Sequence, residues 1–204
     1  MKQSKPILFI DFNWVISYKN FWFSLEVTDK PVYEKINNFL FKDNIQIVKD
    51  WMLWKYSSAE ICEFLSEDLK INYDYIYRNF IDDCINIDLS DLIWNLLKKL
   101  KKSYHIILVT DNMDSFTEFT VKNNIKYFSI FDSIFNSSDA WYFKVDSYLD
   151  YIRQYNSEIE SCYLIDDSEN NCKNFGSLWW KFMCVSWEKM VCSCLESLLK
   201  NIRE

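Results

Sequence analysis

The fold is decided by the stretch KPILFID (residues 5–11), a short apolar run that ends on the acid Asp11. Such a run is typical of a buried strand in a parallel sheet. The stretches YHIILVTDN (residues 104–112) and SCYLIDD (residues 161–167) have the same pattern, and helical periodicity lies between them. Strands that alternate with helices predict an α/β fold with a parallel sheet. The other predicted elements of this part are helices over 89–100 and 147–155 and weaker strands over 128–135 and 182–186.

Residues 18–87 have a different pattern, with helical periodicity throughout and no strand-like run bounded by turn residues. Within them, Ser57 and Glu60 have the spacing of a capping box, which predicts a helix that runs through Leu65. The many aromatic side chains of this segment are expected mainly to pack a helical bundle. The predicted domains are an α/β core over residues 1–17 and 88–204 and a helical insert over residues 18–87.

Composition and charge exclude several classes of protein. The chain has 204 residues, of which 50% are hydrophobic, and a formal net charge of −7. No cluster of Lys and Arg lies apart from acids, which argues against a nucleic-acid-binding surface. No stretch approaches the roughly 18 to 20 apolar residues that a membrane span needs, and the seven scattered cysteines favour free thiols over a disulfide framework. We therefore expect a soluble cytoplasmic protein that binds neither nucleic acid nor a membrane.

Polar side chains follow each of the three predicted strands. They are Asp11, the run Thr110-Asp111-Asn112, and the pair Asp166-Asp167. A single acid at the end of a strand is usually a helix cap or part of a solvated turn. In open parallel sheets, however, ligands bind outside the carboxyl ends of the strands. Three such ends therefore predict a functional site at this edge of the sheet.

In this order, the motifs resemble those of the haloacid dehalogenase (HAD) superfamily. Residues 7–16 resemble its first motif and residues 109–112 its second, while Lys144 followed by Asp146 resembles the third. Residues 164–167, with Asn171, resemble the acidic fourth motif. The helical insert lies where that family has a C1-type cap. The resemblance covers essentially the whole chain and implies a Rossmannoid HAD-like core with an inserted α-helical cap.

The same resemblance implies a Mg²⁺-dependent phosphatase that acts on a small phosphorylated metabolite. Asp11 would attack the phosphoryl group and form an aspartyl-phosphate. Thr110 would hydrogen-bond the transferring group, and Lys144 would neutralise its charge. The remaining implied roles are Mg²⁺ binding or its support by Asp11, the Asn13 carbonyl, Asp166, Asp167 and Asn171, and substrate binding by Thr110, Asp111, Asn112, Lys19 and Asn20.

One departure from the family pattern concerns catalysis. Phosphatases with these motifs have, two residues after the nucleophile, an Asp that exchanges protons with the leaving group and the water; this chain has Asn13. An amide cannot exchange that proton, and general acid–base catalysis contributes about 10²- to 10⁴-fold. The alternatives are therefore a slow phosphatase, a catalytically impaired phosphate-binding protein, a dehalogenase, which the family includes, and a structural protein that has kept only the fold.

The other departure concerns glycine. The chain has one Gly and nine Trp, and Trp14 and Trp141 stand where relatives commonly have Gly. One hypothesis is that UGA codons that specify glycine in the source organism have been translated as tryptophan. The alternative is a genuine tryptophan-rich core, since Trp22, Trp51 and Trp94 fit helical apolar faces. The positions to which the hypothesis applies are Trp14, Trp54, Trp141, Trp179, Trp180 and Trp187.

Overall fold

The computed structural model describes residues 5–177 and 181–202. Its centre is a five-stranded sheet in which every neighbouring pair is parallel and the strand order is β3-β2-β1-β4-β5. This sheet confirms the predicted α/β class. The strands are β1 (Ile7–Ile10), β2 (His105–Thr110), β3 (Ser133–Asn136), β4 (Tyr163–Asp166) and β5 (Lys181–Cys184).

Helices follow or connect these strands. The predicted helices over 89–100 and 147–155 are present as α6 and α9, each shorter by one or two residues at its start. Among the described residues, no helix is both long and apolar enough to cross a bilayer. The helices are α1 (Phe23–Thr28), α2 (Lys30–Asn38), α3 (Ile45–Met52), α4 (Ser58–Leu69), α5 (Tyr73–Ile85), α6 (Asp91–Leu100), α7 (Ile125–Phe128), α8 (Ser137–Ala140), α9 (Tyr148–Tyr155), α10 (Glu169–Gly176) and α11 (Glu188–Asn201).

The central strand β1 is buried on both faces because its side chains alternate between two hydrophobic clusters. Leu8 and Ile10 pack in the cluster that contains side chains of α6 and α11. Ile7 and Phe9 pack in the cluster that contains side chains of α9 and α10. Helices on both faces explain why this strand is a continuous apolar run rather than an alternating one. They also place the residue after it, Asp11, in a dry environment.

The helices α1 to α5 form the insert between β1 and α6, and they have a hydrophobic cluster of their own. Trp22, Trp51 and Phe80 are wholly buried in it, with the ring centroids of Trp22 and Phe80 4.7 Å apart. The capping box at the start of α4 is present with both of its hydrogen bonds, and this helix continues to Leu69. We call α1 to α5 the cap.

Two weaker strand predictions were only partly correct. The segment 128–135 begins in α7, where the Phe128 amide donates to the carbonyl of Asn124, and only its last part belongs to β3. Buried aromatic residues suit either a short helix or a strand, so periodicity alone did not separate the two. The strand predicted over 182–186 ends at Cys184, and Val185 then donates its amide to the carbonyl of Asp166.

Tryptophan occupies backbone positions that favour glycine. Six described non-glycine residues have a left-handed backbone, and four of them are Trp14, Trp22, Trp54 and Trp141, at φ values of 59°, 56°, 59° and 66°. Trp14, Trp54 and Trp141 are also substantially exposed, at 41%, 47% and 72%. A left-handed conformation costs an L-residue about 1–2 kcal/mol, and burial of the side chain compensates little at these three positions. The backbone therefore supports the glycine hypothesis at positions 14, 54 and 141.

The other tryptophans differ. Trp22 lies just before α1 rather than on a helical face, and although its backbone is left-handed it is fully buried and its indole N–H donates to the carbonyl of Ile76. Trp187 has an extended backbone that any residue adopts, at φ −161°. Trp179 and Trp180 lie outside the described residues.

We predict that Trp54→Gly and Trp141→Gly each raise the free energy of unfolding by about 1 kcal/mol, because glycine adopts a left-handed backbone without steric cost. Urea denaturation measures the change. Trp187→Gly is the matched control, since it removes an exposed indole from an extended backbone and relieves no strain. UGA codons at positions 14, 54 and 141 of the gene would establish recoding there. Loss of stability in both variants would contradict the strain argument.

Candidate active site

Three carboxylates meet at the carboxyl edge of the sheet. Asp11 follows β1, Asp166 ends β4 and Asp167 comes next, and one oxygen of each lies within 4.8 Å of the others. The backbone holds β1 and β4 in register here, because the Asp11 amide donates to the carbonyl of Ile165 at 3.0 Å. Asp11 and Asp166 are buried and Asp167 is partly exposed. The cluster therefore has one side towards solvent.

Lys144 is the cation of this cluster. It begins a short 3₁₀ turn, Lys144–Asp146, and its side chain reaches in from the loop before α9. Its Nζ lies 2.7 Å from Asp11 Oδ2 and 2.8 Å from Asp166 Oδ2, and Lys144 is only 2% exposed. One ammonium thus faces three carboxylates, and the site has a surplus of negative charge.

The pKa shifts follow from burial and this imbalance. Burial raises the pKa of Asp11 to about 8, against the opposing effect of the Lys144 ammonium, and Asp166 raises it further. Burial alone would lower the pKa of Lys144, but Asp11 and Asp166 outweigh it and hold that pKa above its ordinary value. Burial and the neighbouring Asp166 raise the pKa of Asp167. Lys144 therefore remains charged, and a second cation would favour ionised Asp11 and Asp167.

Asp111 holds the backbone of Lys144 in place. Its Oδ1 accepts a hydrogen bond from the Lys144 amide at 2.7 Å, and the Ser147 hydroxyl donates to the Lys144 carbonyl at the same distance. Burial raises the pKa of Asp111. The family resemblance implies a substrate-binding role for Asp111, which stays a prediction, and the structure shows in addition that its hydrogen bond positions the lysine. Sequence reasoning missed Ser147, since nothing in its local pattern distinguishes it from an ordinary helix cap.

Thr110 has an unsatisfied hydroxyl. It ends β2, next to β1, and is 1% exposed, and its Oγ1 has no hydrogen-bond partner among the residues that the structure describes. A buried hydroxyl without a partner carries a desolvation cost that a bound polar ligand would remove. This is the property expected of a donor to a ligand oxygen.

Asn171 and Ser168 hold Asp166. The Asn171 side-chain amide donates to Asp166 Oδ1 at 3.1 Å, and the Ser168 backbone amide donates to the same oxygen at 2.9 Å. Since Lys144 occupies the other oxygen, Asp166 is engaged on both sides. Asp11 and Asp167 are thus better placed than Asp166 to bind a metal directly. Ser168, which also caps α10, was missed by the sequence reasoning.

Asn13 and Trp14 lie in a tight loop after β1. The amides of Ile16 and Ser17 both donate to the carbonyl of Phe12, and the Trp14 amide donates to Ser17. Trp14 adopts its left-handed backbone within this reversal. The loop places Asn13 beside the cleft between core and cap.

Two cavities lie in that cleft, and both are lined by Asn13, Lys19, Asn20 and Phe21. The first has a volume of about 20 Å³ and is also lined by Asn112, whose backbone amide donates to Ser137 at 3.1 Å. The second has a volume of about 270 Å³. Lys19 and Asn20 are exposed, as is required of residues that would contact an entering ligand. The structure thus brings four predicted site residues to one cleft, namely Asn13, Lys19, Asn20 and Asn112.

No protein-family model matches the sequence, and no curated protein matches it either. Solved structures do match. A predicted HAD-like family hydrolase from Porphyromonas gingivalis is 14% identical, with 98% of this chain and 99% of that one covered and a TM-score of 0.70. A HAD family enzyme from Bacteroides thetaiotaomicron, solved as a magnesium complex, is 17% identical, with coverage of 90% and 94% and a TM-score of 0.68. A 2-haloacid dehalogenase from Pseudomonas syringae is 10% identical, with coverage of 88% and 86% and a TM-score of 0.57.

This chain has the HAD-like fold. The likeness extends over nearly the full length of these structures and so includes both the sheet and the cap. At such low identity it concerns the fold, and the chemistry has to be argued from the side chains of this HAD-like chain itself. The family resemblance of its motifs is therefore confirmed at the level of the fold.

The donor set fits a hard divalent cation. Asp11, Asp166 and Asp167 supply only oxygen atoms, and their charge exceeds that of the one ammonium among them. Magnesium binds through one or two carboxylates and keeps several waters, which the partly exposed side at Asp167 would admit.

We predict that Lys144→Ala lowers the free energy of unfolding by about 3–5 kcal/mol without Mg²⁺, because buried carboxylates lose their only cation. Mg²⁺ should restore part of this loss by supplying the missing charge. Urea denaturation with chelator and with Mg²⁺ measures both effects. Lys173→Ala, which breaks an exposed pair with Glu169, is the control and should change nothing measurable. Equal stability of the Lys144 and Lys173 variants would contradict the role of the ion pair.

Proposed function

We propose that this protein is a Mg²⁺-dependent phosphatase that hydrolyses a small phosphomonoester through an aspartyl-phosphate on Asp11. The observation that carries the proposal is the placement of Lys144 between Asp11 and Asp166. Thr110, at the end of the neighbouring strand β2, adds a buried hydroxyl with no hydrogen-bond partner among the described residues. Phosphoryl transfer depends chiefly on positioning and on compensation of negative charge. A buried nucleophile with a fixed cation and a free donor suits that chemistry.

In the first step, a carboxylate oxygen of Asp11 forms a bond to phosphorus as the bond from phosphorus to the leaving oxygen breaks. Thr110 donates a hydrogen bond to a phosphoryl oxygen, and Lys144 stabilises the negative charge that the group carries. Asp11, Asp167 and the Asn13 carbonyl would hold Mg²⁺, with Asp166 and Asn171 in support, and the ion would supply further compensation of charge. In the second step, water attacks the aspartyl-phosphate and regenerates the carboxylate of Asp11.

Asn13 limits both steps in this mechanism. An alkoxide leaving group needs a proton as it departs, and the attacking water has to lose one, but the Asn13 amide supplies and accepts neither. A phenolate with a low pKa departs without protonation, so an aryl phosphate should still phosphorylate Asp11. We infer that substrates with good leaving groups phosphorylate Asp11 readily and that the aspartyl-phosphate is then hydrolysed slowly.

The second candidate is a phosphate-binding protein without turnover, and Asn13 is the observation that favours it. The positions of Asp11, Lys144 and Thr110 favour the enzyme, because binding alone does not require a carboxylate where phosphate carries negative charge. Dehalogenation remains an alternative by fold, since one similar structure is a 2-haloacid dehalogenase. The surplus of acidic groups, which suits a metal-assisted reaction of an anionic substrate, favours phosphoryl transfer.

We predict that Asn13→Asp raises kcat for alkyl phosphates about 10²-fold or more, since it restores the acid and base. For aryl phosphates with good leaving groups, the unaltered protein should release a burst of phenolate equal to the enzyme concentration and then slow. Stopped-flow absorbance measures the burst, and mass spectrometry identifies the phosphorylated Asp11 peptide.

Asp11→Asn is the blank for these measurements. Protein with Trp14→Gly tests in parallel whether the indole obstructs the loop. A burst that survives in Asp11→Asn, or no phosphorylation in any variant that retains Asp11, would overturn the phosphatase proposal. Phosphate binding without phosphorylation would establish the second candidate.

A further inference from the structure

The loop that follows Thr110 enters the cap. Met113 belongs by sequence to the core, yet it is fully buried in the hydrophobic cluster of the cap with Trp22, Trp51 and Phe80. The next residue, Asp114, is also buried, at 8% exposure. A carboxylate removed from water is costly unless hydrogen bonds satisfy it. The hydrogen-bond partners of Asp114 therefore identify the segment to which this loop is attached.

Within the described part of the chain, the hydrogen bonds that Asp114 accepts come from the cap. The Ser58 amide lies 3.0 Å from Oδ2, the Ser58 hydroxyl lies 2.5 Å from Oδ1, and the Trp51 indole N–H lies 3.1 Å from Oδ1. Ser58 is the first residue of α4, a helix of 12 residues, so the carboxylate also meets the positive end of the helix dipole. Asp114 thus joins α3 and α4 of the cap to the core through charge-assisted hydrogen bonds, which are the stronger kind.

A second connection lies beside it. The Ser137 hydroxyl, at the start of α8, donates to the carbonyl of Met52 at 2.8 Å and accepts from the Asn112 amide at 3.1 Å. Met52 ends α3, so this connection and that of Asp114 both lie at the α3–α4 junction. The loop from Thr110 to Asp114 is therefore bonded to this junction directly by Asp114 and indirectly through Ser137.

The cap is also bonded to the core through α5, where the Thr120 hydroxyl donates to the carbonyl of Cys84 at 2.9 Å. The cleft lies beside both connections, because its first cavity is lined by Thr120 and Ser115 and its second by Met52. The loop that carries Asp114 therefore borders the cleft.

We propose that Asp114 is a positioning residue that latches the α3–α4 junction of the cap to the loop after Thr110, so that Thr110 is held for ligand binding. The expected effect of Asp114 on catalysis rests on the proposed function. The latch itself does not rest on it, because the hydrogen bonds of Asp114 are present in the fold without any ligand.

The first test measures amide hydrogen exchange in the full-length protein without ligand. In Asp114→Asn, exchange should accelerate about tenfold or more both at the start of α4 and in the loop 111–115, because a charge-assisted hydrogen bond contributes about 1.5–3 kcal/mol. Ser58→Ala, a milder change from the cap side, should accelerate the same two segments.

Asp83→Asn is the matched control. Asp83 is equally buried, at 6% exposure, and accepts from the Ser24 amide at 2.9 Å, but it joins two elements that both belong to the cap. Its replacement should accelerate exchange in α1 and leave the loop 111–115 unchanged. If Asp114→Asn and Ser58→Ala affect α4 alone, Asp114 is an ordinary helix cap and the latch is overturned.

The second test uses an aryl phosphate with Mg²⁺. Loss of the latch lowers the fraction of molecules with an assembled site, so KM should rise about tenfold if that fraction falls to a tenth, with little change in kcat for the molecules that bind. Ser58→Thr, which keeps the hydroxyl, should behave as the unaltered protein. A fall in kcat alone with KM unchanged would indicate fewer folded molecules and would contradict a positioning role. If the unaltered protein has no activity, the proposed function fails while the exchange result still decides the latch.

Discussion

The buried contact of Lys144 with Asp11 and Asp166 is the interaction on which the rest of the site depends. It joins the end of β1, the end of β4 and the loop before α9, three segments that are far apart in the sequence. Buried charges are tolerated only when they are paired and hydrogen-bonded, and here a single ammonium serves two carboxylates. These side chains are therefore held in a fixed geometry, but the negative charge of the carboxylates exceeds the positive charge of the ammonium. That remaining imbalance makes the site suitable for a cation and an anionic ligand together.

Neighbouring polar groups orient the charged side chains of this contact through hydrogen bonds. Asp111 fixes the Lys144 backbone, and Asn171 and Ser168 fix Asp166, so each charged partner is oriented by a residue that does not itself need to meet a ligand. Such supporting hydrogen bonds are what keep functional groups at productive distances. Thr110, by contrast, has a hydroxyl without a hydrogen-bond partner among the described residues. The candidate site thus combines fixed charges with a free donor.

The sequence was sufficient for the features that have local signals. Apolar runs that end on acids predicted β1, β2 and β4, and Ser57 with Glu60 predicted the start of α4. The contacts of Met113, Asp114 and Ser137 with the cap could not be predicted, because they join segments with no shared periodicity and depend on how the cap sits on the core. Asp111 was predicted as a site residue, but its bond to a backbone amide has no signature in sequence. The scarcity of glycine was visible in the sequence, but only the structure shows that Trp14, Trp54 and Trp141 have the left-handed backbone that favours glycine.

The position of β1 has a consequence for biosynthesis. This strand is synthesised before both of the strands that flank it, which begin at residues 105 and 163. The cap, whose contacts are mostly local, is synthesised in between and gains its buried Met113 only after β2 has emerged. An apolar strand with two unpaired edges is prone to association with other chains. The nascent chain therefore carries this strand without its partners until residues 105–110 and 163–166 have been synthesised, and the edges of β1 stay open to other chains in the meantime.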